Sequence, residues 1–272
     1  MTPPPSWDAR IRRAEQLSGK HPGVREVLTF YCAIAEFQRE SYAQLVSSRA
    51  PLPVTTEKDL VRGELDAGAF AGRFPAFLSL VESAAPAPLA EFAREFRTQR
   101  DLWAPLLQSY WEKGARFEPV GEERSVFCAR AFLQPYAEYF AAKSARGAEP
   151  PPSERCCPAC LGMPQAVALR PEGDGARRSL ICAFCTTEWD FRRIVCPSCG
   201  EEDEKKLCVY VAKEFEIARV EACETCRSYI EAIDLTKDGH AIPVVDELTC
   251  VPLGLWAAEQ NYRKVQPNLF GM

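Results

Sequence analysis

Four Cys-x-x-Cys pairs in the second half of the chain restrict its fold more than any other feature. The pairs are Cys157/Cys160, Cys182/Cys185, Cys196/Cys199 and Cys223/Cys226. Each pair is typical of a tight turn, here called a knuckle and numbered one to four in chain order, that directs two sulfurs to one point. Two knuckles about 20 residues apart supply the four thiolates of a tetrahedral metal site. The spacing therefore predicts two metal sites.

The same array is an internal repeat. Knuckles one and three both read Cys-Pro-x-Cys, and knuckles two and four follow them after gaps of 21 and 23 residues. We therefore predict that knuckles one and two hold one metal ion and that knuckles three and four hold the other. The alternative joins knuckles two and three across 10 residues and knuckles one and four across 62 residues, which loses the repeat.

Residues beside the cysteines refine this prediction. Gly200 follows knuckle three, where the turn favours positive φ. Leu161 occupies that place in knuckle one, and Gly162 comes one residue later, so we expect a distorted knuckle or a weaker site there. Three further cysteines, which are Cys156, Cys208 and Cys250, have no Cys-x-x-Cys partner, and we interpret Cys156 as a bystander thiol.

Composition narrows the functional class. The first residues, 1–8, lack the basic and apolar parts of a signal peptide, and no apolar run is long enough to span a membrane, so we expect a cytoplasmic protein without a membrane span. Thirteen cysteines in a reducing compartment favour metal ligands over disulfides. Only two histidines, His21 and His240, are present, which argues against His-dependent catalysis.

Hydrophobic periodicity changes near a proline-rich stretch at 147–153, which we interpret as a linker. We predict an α+β protein with an all-helical domain over 1–148 and, over 149–272, a tandem rubredoxin-like (zinc-ribbon-like) domain of short antiparallel strands that ends in a helix. Helical stripes cover 24–46, 89–110 and 126–140, and a shorter helix begins at 55–59. Prolines 105 and 135 are expected to kink or interrupt their helices. Short strands are expected at 165–170, 205–211 and 216–220, and a terminal helix at 246–264.

Charge and ligand chemistry bear on the partner and the metal. The first 150 residues are neutral, so the whole net charge of −5 lies in residues 151–272. That excess opposes binding to a polyanion. All-thiolate sites suit both zinc and a single rubredoxin-like iron ion. Because the region has few large apolar side chains, a structural role for the metal is favoured over redox chemistry.

At several motifs the sequence resembles FdhE, a family of formate dehydrogenase accessory proteins. Thr187-Glu188-Trp189 behind knuckle two is the most specific motif, because generic zinc ribbons have no reason to share it. The other motifs are Met163-Pro164 after knuckle one, Arg193 before knuckle three, Tyr229 after knuckle four, Asp246-Glu247-Leu248, Tyr262-Arg263, Pro267-Asn268, and Arg12 to Glu15 with Pro22.

This resemblance implies a cytoplasmic, non-enzymatic maturation factor that contacts the catalytic subunit of formate dehydrogenase. It also implies that the eight cysteines bind rubredoxin-type iron, with zinc as the alternative. The metal ligands would be Cys157, Cys160, Cys182 and Cys185 at one site and Cys196, Cys199, Cys223 and Cys226 at the other. Two other classes stay open, a nucleic-acid-binding zinc ribbon and an iron–thiolate electron carrier. We expect Thr187, Glu188 and Trp189 to pack and cap a strand, and Glu201, Glu202 and Glu204 to be exposed.

Overall fold

The computed structural model describes residues 6–49, 71–113, 123–144 and 153–272. Its first half is helical, and its second half carries the strands. Six helices precede the strands in the described part, namely α1 (Trp7–Lys20), α2 (Arg25–Ser48), α3 (Phe74–Ala84), α4 (Ala87–Phe96), α5 (Trp103–Lys113) and α6 (Glu123–Ser144).

Local sequence explains where several of these helices begin. The Ser6 side chain accepts a hydrogen bond from the Ala9 amide and caps α1. A 3₁₀ turn at Pro22–Val24 leads into α2, which follows the predicted stripe. The stripe at 89–110 is divided between α4 and α5, and Pro105 lies in the first turn of α5, where its missing N–H breaks no helical hydrogen bond. In contrast to the expected interruption, α6 continues through Pro135.

Seven strands follow in the described residues and form one sheet. Six of them have the order β3-β2-β1-β6-β5-β4, and the seventh, β7, pairs with β6. The bounds are β1 (Pro164–Glu172), β2 (Gly175–Cys182), β3 (Glu188–Asp190), β4 (Leu207–Val211), β5 (Ala218–Cys223), β6 (Ser228–Asp234) and β7 (Arg263–Lys264). Neighbours pair antiparallel except at β1/β6 and β6/β7, which are parallel. The three predicted strands are present as β1, β4 and β5, with shifted ends, and the strand expected at Thr187-Glu188-Trp189 is β3.

The sheet reproduces the sequence repeat. Knuckle one leads into the β1–β2 hairpin, which returns to knuckle two and then β3, and knuckle three leads in the same way through β4 and β5 to knuckle four and β6. Strands β1 and β6 pair from Ala166↔Glu231 to Leu169↔Asp234 and join the two modules. Module 1, residues 157–190, and module 2, residues 196–234, are therefore parts of one continuous sheet.

The predicted terminal helix is wrong in detail. Its region contains α7 (Pro243–Asp246), a 3₁₀ turn at Glu247–Thr249 and α8 (Val251–Glu259). Pro252 lies in the first turn of α8, where a proline is favoured. The 3₁₀ turn therefore ends at Thr249, and a new helix begins at Val251. Residues 263–264 form β7 instead of a last helical turn.

Buried side chains of the helices pack against buried side chains of the sheet. One cluster of buried apolar residues runs from Phe30 in α2 and Phe132 in α6 to Val167 in β1 and Trp189 in β3. The helical region followed by a strand-rich region confirms the predicted fold class. The boundary at 148/149 and the helix start at 55–59 lie outside the described residues, so the two-domain division stays a prediction. None of the described helices is both long and apolar enough to cross a membrane.

Candidate metal centres

The structure brings the eight predicted cysteines together in two groups of four. Site 1 contains Cys157, Cys160, Cys182 and Cys185, and site 2 contains Cys196, Cys199, Cys223 and Cys226. Within each group, all sulfurs lie within 4.8 Å of one another. This grouping joins knuckle one to two and knuckle three to four, as the repeat predicts, and excludes the crossed pairing.

Distances between the sulfurs match what a tetrahedral ion requires. A metal–sulfur bond of about 2.3 Å places tetrahedral sulfurs roughly 3.8 Å apart. At site 1, the closest sulfur pairs are Cys157 to Cys185 at 3.5 Å and Cys160 to Cys182 at 3.4 Å. The corresponding pairs at site 2, Cys196/Cys226 and Cys199/Cys223, are 3.7 and 3.8 Å apart. Each group could therefore hold one metal ion.

All four knuckles end in the same backbone conformation. The residue after the second cysteine has positive φ in each, with 58° at Leu161, 51° at Thr186, 83° at Gly200 and 56° at Arg227. The Leu161 amide donates to the Cys157 carbonyl at 2.9 Å, just as the Gly200 amide donates to the Cys196 carbonyl at 3.0 Å. The expected distortion of knuckle one is therefore wrong, since Leu161 adopts the turn that glycine favours.

Site 1 is enclosed by protein. Its four cysteines are at most 1% exposed. Burial raises the pKa of the Cys157 and Cys185 thiols well above the usual value, because thiolates without a cation are poorly stabilised there. A bound cation would offset the charge of these sulfurs and favour their ionised form.

A buried ion pair joins knuckle two to the helices. Arg10 of α1 forms two hydrogen bonds with the Glu138 carboxylate of α6, at 2.8 and 2.9 Å. The same guanidinium donates to the Thr186 hydroxyl at 3.2 Å, one residue after Cys185. Both charged side chains are buried. The position of knuckle two therefore depends on α1 and α6.

Two further contacts hold knuckle two. Arg130 of α6 donates to the Ala183 carbonyl at 2.8 Å, and it also donates to the carbonyls of Pro267 and Asn268. The Phe184 ring lies 5.4 Å from Tyr110 and 5.9 Å from Trp111 of α5, with edge-on geometry. Site 1 thus lies at the junction of the helices and the sheet.

Site 2 opens towards solvent. Cys199 is exposed and Cys226 is half-buried, although Cys196 and Cys223 are buried. Burial raises the pKa of Cys196. At Cys226, burial also acts to raise the pKa, but hydrogen bonds from the Ser228 hydroxyl and amide outweigh it and lower the pKa to about 7. Site 2 therefore offers both an accessible sulfur and a readily ionised one.

Glu201 belongs to the framework of site 2. Its carbonyl accepts from the Cys196 amide at 2.9 Å, and its carboxylate accepts from the Thr225 hydroxyl at 2.5 Å. The hydrogen bond from Thr225 is the largest of the effects that lower the pKa of Glu201 to about 2. This carboxylate bridges knuckles three and four and is only partly exposed, unlike Glu202 and Glu204. The expectation that all three are free surface charges is wrong for Glu201.

The Thr187-Glu188-Trp189 motif is buried, as its expected packing role requires. The Thr187 hydroxyl lies 3.1 Å from the Cys185 sulfur, and the Trp189 indole donates to the Glu154 carbonyl at 2.8 Å. Glu188 accepts two hydrogen bonds from Arg170, at 2.6 and 2.7 Å, and one from Ser179. These contacts fix β3 against its neighbours.

The unpaired cysteines lie outside both groups. Cys156 is half-buried, Cys208 is half-buried on β4, and Cys250 is buried before α8. In the helical region Cys128 is fully buried, in keeping with a small apolar side chain, whereas Cys32 is only partly buried.

Known proteins are similar to this chain in the region of the second site and in the overall fold. The family model described as "FdhE, C-terminal domain" matches residues 194–270, which include all of site 2. Residues 194–270 are therefore similar to the FdhE C-terminal domain. The "Protein FdhE homolog" of Aquifex aeolicus is 26% identical over 276 residues, covering 96% of this chain and 94% of the relative. The resemblance to FdhE is thus confirmed along nearly the whole chain.

Two comparisons come from Pseudomonas aeruginosa. An FdhE homolog is 33% identical over 125 residues, which span 43% of this chain and 40% of that relative. The crystal structure of an FdhE protein superposes with a TM-score of 0.71 at 23% identity and covers 98% of this chain and 97% of that one. The FdhE fold therefore extends through the helical region and site 1, beyond the part that the family model matches.

Proposed function

We propose that this protein is a non-enzymatic accessory factor that binds the catalytic subunit of formate dehydrogenase in the cytoplasm and carries two mononuclear metal ions. The observation that carries the proposal is a pair of four-cysteine groups within an FdhE fold. We assign Cys157, Cys160, Cys182 and Cys185 to one ion and Cys196, Cys199, Cys223 and Cys226 to the other.

Iron is the proposed metal at both sites, with zinc as the alternative. Four thiolates at these distances accommodate either ion. Iron would supply one-electron chemistry when bound, whereas zinc would supply folding energy alone. Anaerobic purification followed by metal analysis and visible spectroscopy separates the two, because oxidised iron–thiolate sites are red and zinc sites are colourless. Two zinc ions per chain and no visible absorbance would reject iron.

Partner binding is the proposed activity, and module 2 is the proposed docking region. Glu202 and Glu204 are exposed there beside site 2, and Glu204 also borders a cavity that contains Cys196 and Cys223 in its wall. Opposite charges on a partner would guide association to this face. The negative balance of residues 151–272 works against nucleic-acid binding.

Charge reversal tests this surface. Glu204→Lys should weaken co-purification of the catalytic subunit by about tenfold, or ~1.4 kcal/mol, without changing the melting temperature. Glu26→Lys, an exposed position on α2, is the matched control and should co-purify normally. Cys223→Ser should impair both folding of module 2 and association. Normal association by Glu204→Lys, Glu202→Lys and the double variant would place the docking surface elsewhere.

The cellular test is deletion. Cells without this protein should synthesise the formate dehydrogenase catalytic subunit but oxidise formate more slowly, and the Glu26→Lys protein should restore the rate. A normal rate in a strain that also lacks any paralogue would refute the accessory role. Tight, salt-sensitive binding to DNA or RNA would favour the zinc-ribbon alternative.

An electron carrier is the second candidate because Cys199 is exposed at site 2. Its discriminating measurement is a reversible spectral change on mild oxidation and reduction of the purified protein. The part of the change that arises at site 2 should disappear in Cys199→Ser, and the whole change should persist in Cys156→Ser, since Cys156 belongs to neither group.

A further inference from the structure

A second cavity lies on the side of module 2 that faces α8. Its volume is about 310 Å³, and its wall includes four buried polar side chains as well as apolar ones. The polar residues are Glu231 of β6, Glu247 of the turn before α8, Lys264 of β7 and Asn268. None of them belongs to either four-cysteine group.

The charges in this wall do not balance. The Lys264 ammonium lies 2.9 Å from Glu231 Oε2 and also contacts Glu247 Oε1. One ammonium thus serves two carboxylates, and Asn268 adds only a neutral hydrogen bond to Glu247 Oε1 at 3.3 Å. With both carboxylates ionised, the cluster has one excess negative charge in a buried setting, which is unfavourable without a further cation.

Glu247 has an unused acceptor. The residue is 2% exposed, and its Oε2 atom accepts no hydrogen bond from any described residue. A buried oxygen without a hydrogen-bond partner destabilises the folded protein. Burial raises the pKa of Glu247 to about 7, against the stabilising effect of Lys264. A donor carrying positive charge would remove both penalties.

The remaining wall defines the kind of cation. Val251, Leu255, Pro267 and Met272 supply apolar surface. A divalent metal ion fits poorly, because it would leave the cluster with one excess positive charge and because the Asn268 Oδ1 atom already accepts from the amides of Phe270 and Met272 at 3.0 and 3.2 Å. A small organic cation with an apolar chain satisfies both the free carboxylate oxygen and the apolar wall.

We propose that this cavity binds the primary ammonium group of a small aliphatic amine. The ammonium balances the excess negative charge of the Glu231 and Glu247 carboxylates, and the alkyl chain lies against Val251 and Leu255. Gly254 of α8 gives the polar end its space, since a Cβ atom there would lie 3.1 Å from the Tyr229 hydroxyl and 3.5 Å from Glu231 Oε1. This site does not depend on the proposed accessory role.

The test uses the full chain with its metals and three probes of similar size. Butylammonium, 1-butanol and butyrate are titrated at pH 8, where Glu247 is mostly ionised, and binding is followed by calorimetry and ligand-observed NMR. Butylammonium should bind saturably and at least about tenfold more tightly than butanol, a difference of ~1.4 kcal/mol, and butyrate should not bind. Equal affinity for butanol, or no saturation by butylammonium at ~100 mM, would overturn the proposal.

Variants locate the binding. Glu247→Gln should weaken butylammonium binding about tenfold, whereas Glu259→Gln, an exposed position at the end of α8, should leave it unchanged. Circular dichroism checks that each variant is folded. If Glu247→Gln is unfolded, Leu255→Trp fills the mouth of the cavity from an exposed position and should abolish binding. Unchanged affinity in the folded variants would show that the amine binds elsewhere.

Discussion

Sites 1 and 2 have the same type of ligand, the same knuckle conformation and similar knuckle spacing, but different surroundings. Site 1 is closed, and its second knuckle contacts α1, α5 and α6 through Arg10, Arg130 and Phe184. Site 2 has an exposed sulfur, and its carboxylate bridge, Glu201, comes from its own module. A duplicated unit has thus acquired two roles from its neighbours. Site 1 joins the helices to the sheet, and site 2 stabilises one module and faces solvent.

Loss of each site should give the largest contrast. Replacing Cys157 and Cys160 by Ser removes metal binding worth roughly 10–16 kcal/mol, as much as the whole stability of a typical domain. We expect this variant to bind no metal at site 1 and to lose the packing of α5 and α6. Its unfolding should no longer be cooperative. Cys196→Ser with Cys199→Ser should lose one metal equivalent and keep the helices folded. Metal analysis and far-UV circular dichroism measure both outcomes. Similar thermal unfolding of the two variants would reject the different roles assigned to sites 1 and 2.

Metal release should separate the sites in time. A chelator in excess should remove the site 2 ion at least about tenfold faster than the site 1 ion, because release from site 1 requires local unfolding of enclosed structure. The fast phase should be missing from the Cys196→Ser, Cys199→Ser protein, and Cys156→Ser should retain both phases. Release of both ions in a single phase would show that exposure does not control exchange.

The ion pair beside knuckle two supplies a smaller, more local test. Arg10→Met leaves the buried Glu138 carboxylate without its cation and should lower the free energy of unfolding by about 3–5 kcal/mol in urea titrations. Arg39→Met removes a guanidinium from a solvent-exposed pair with Asp8 and should change the free energy of unfolding little. A loss at Arg10 no greater than that at Arg39 would mean that the junction contributes little.

Substitutions in the knuckle turns should change the free energy of unfolding least, with opposite signs at the two sites. Leu161→Gly should stabilise the protein by about 1 kcal/mol or less, because relief from positive φ exceeds the entropy that glycine loses. Gly200→Ala should destabilise it by about 1–2 kcal/mol, although the new Cβ would meet only Arg155, at 3.8 Å. Denaturant titrations of the metal-loaded proteins measure both changes. A destabilised Leu161→Gly would show that the leucine side chain contributes more than its backbone costs.

The cysteine grouping was predictable because each knuckle is local and the sequence repeat fixes its partner. The positive φ of Leu161 was not predictable, because the four converging sulfurs impose a backbone turn that leucine itself disfavours. The link from Arg10 to Glu138 spans 128 residues and follows no period, so only the packed structure reveals it. The same holds for the β1/β6 pairing, where strands of different modules meet side by side.

That pairing has a consequence for symmetry. By position in the repeat, β1 corresponds to β4 and β3 corresponds to β6, so the modules meet through unlike strands, head to tail. In a two-fold junction, the same strand of each module would form the contact, and no matching strand would stay unpaired. In a head-to-tail junction, each module keeps one edge strand that the other module does not cover. In the described part of the chain these are β3 and β4 at the two ends of the sheet. The operation that joins the modules could in principle be repeated between molecules, and the three-residue length of β3 limits such open-ended growth.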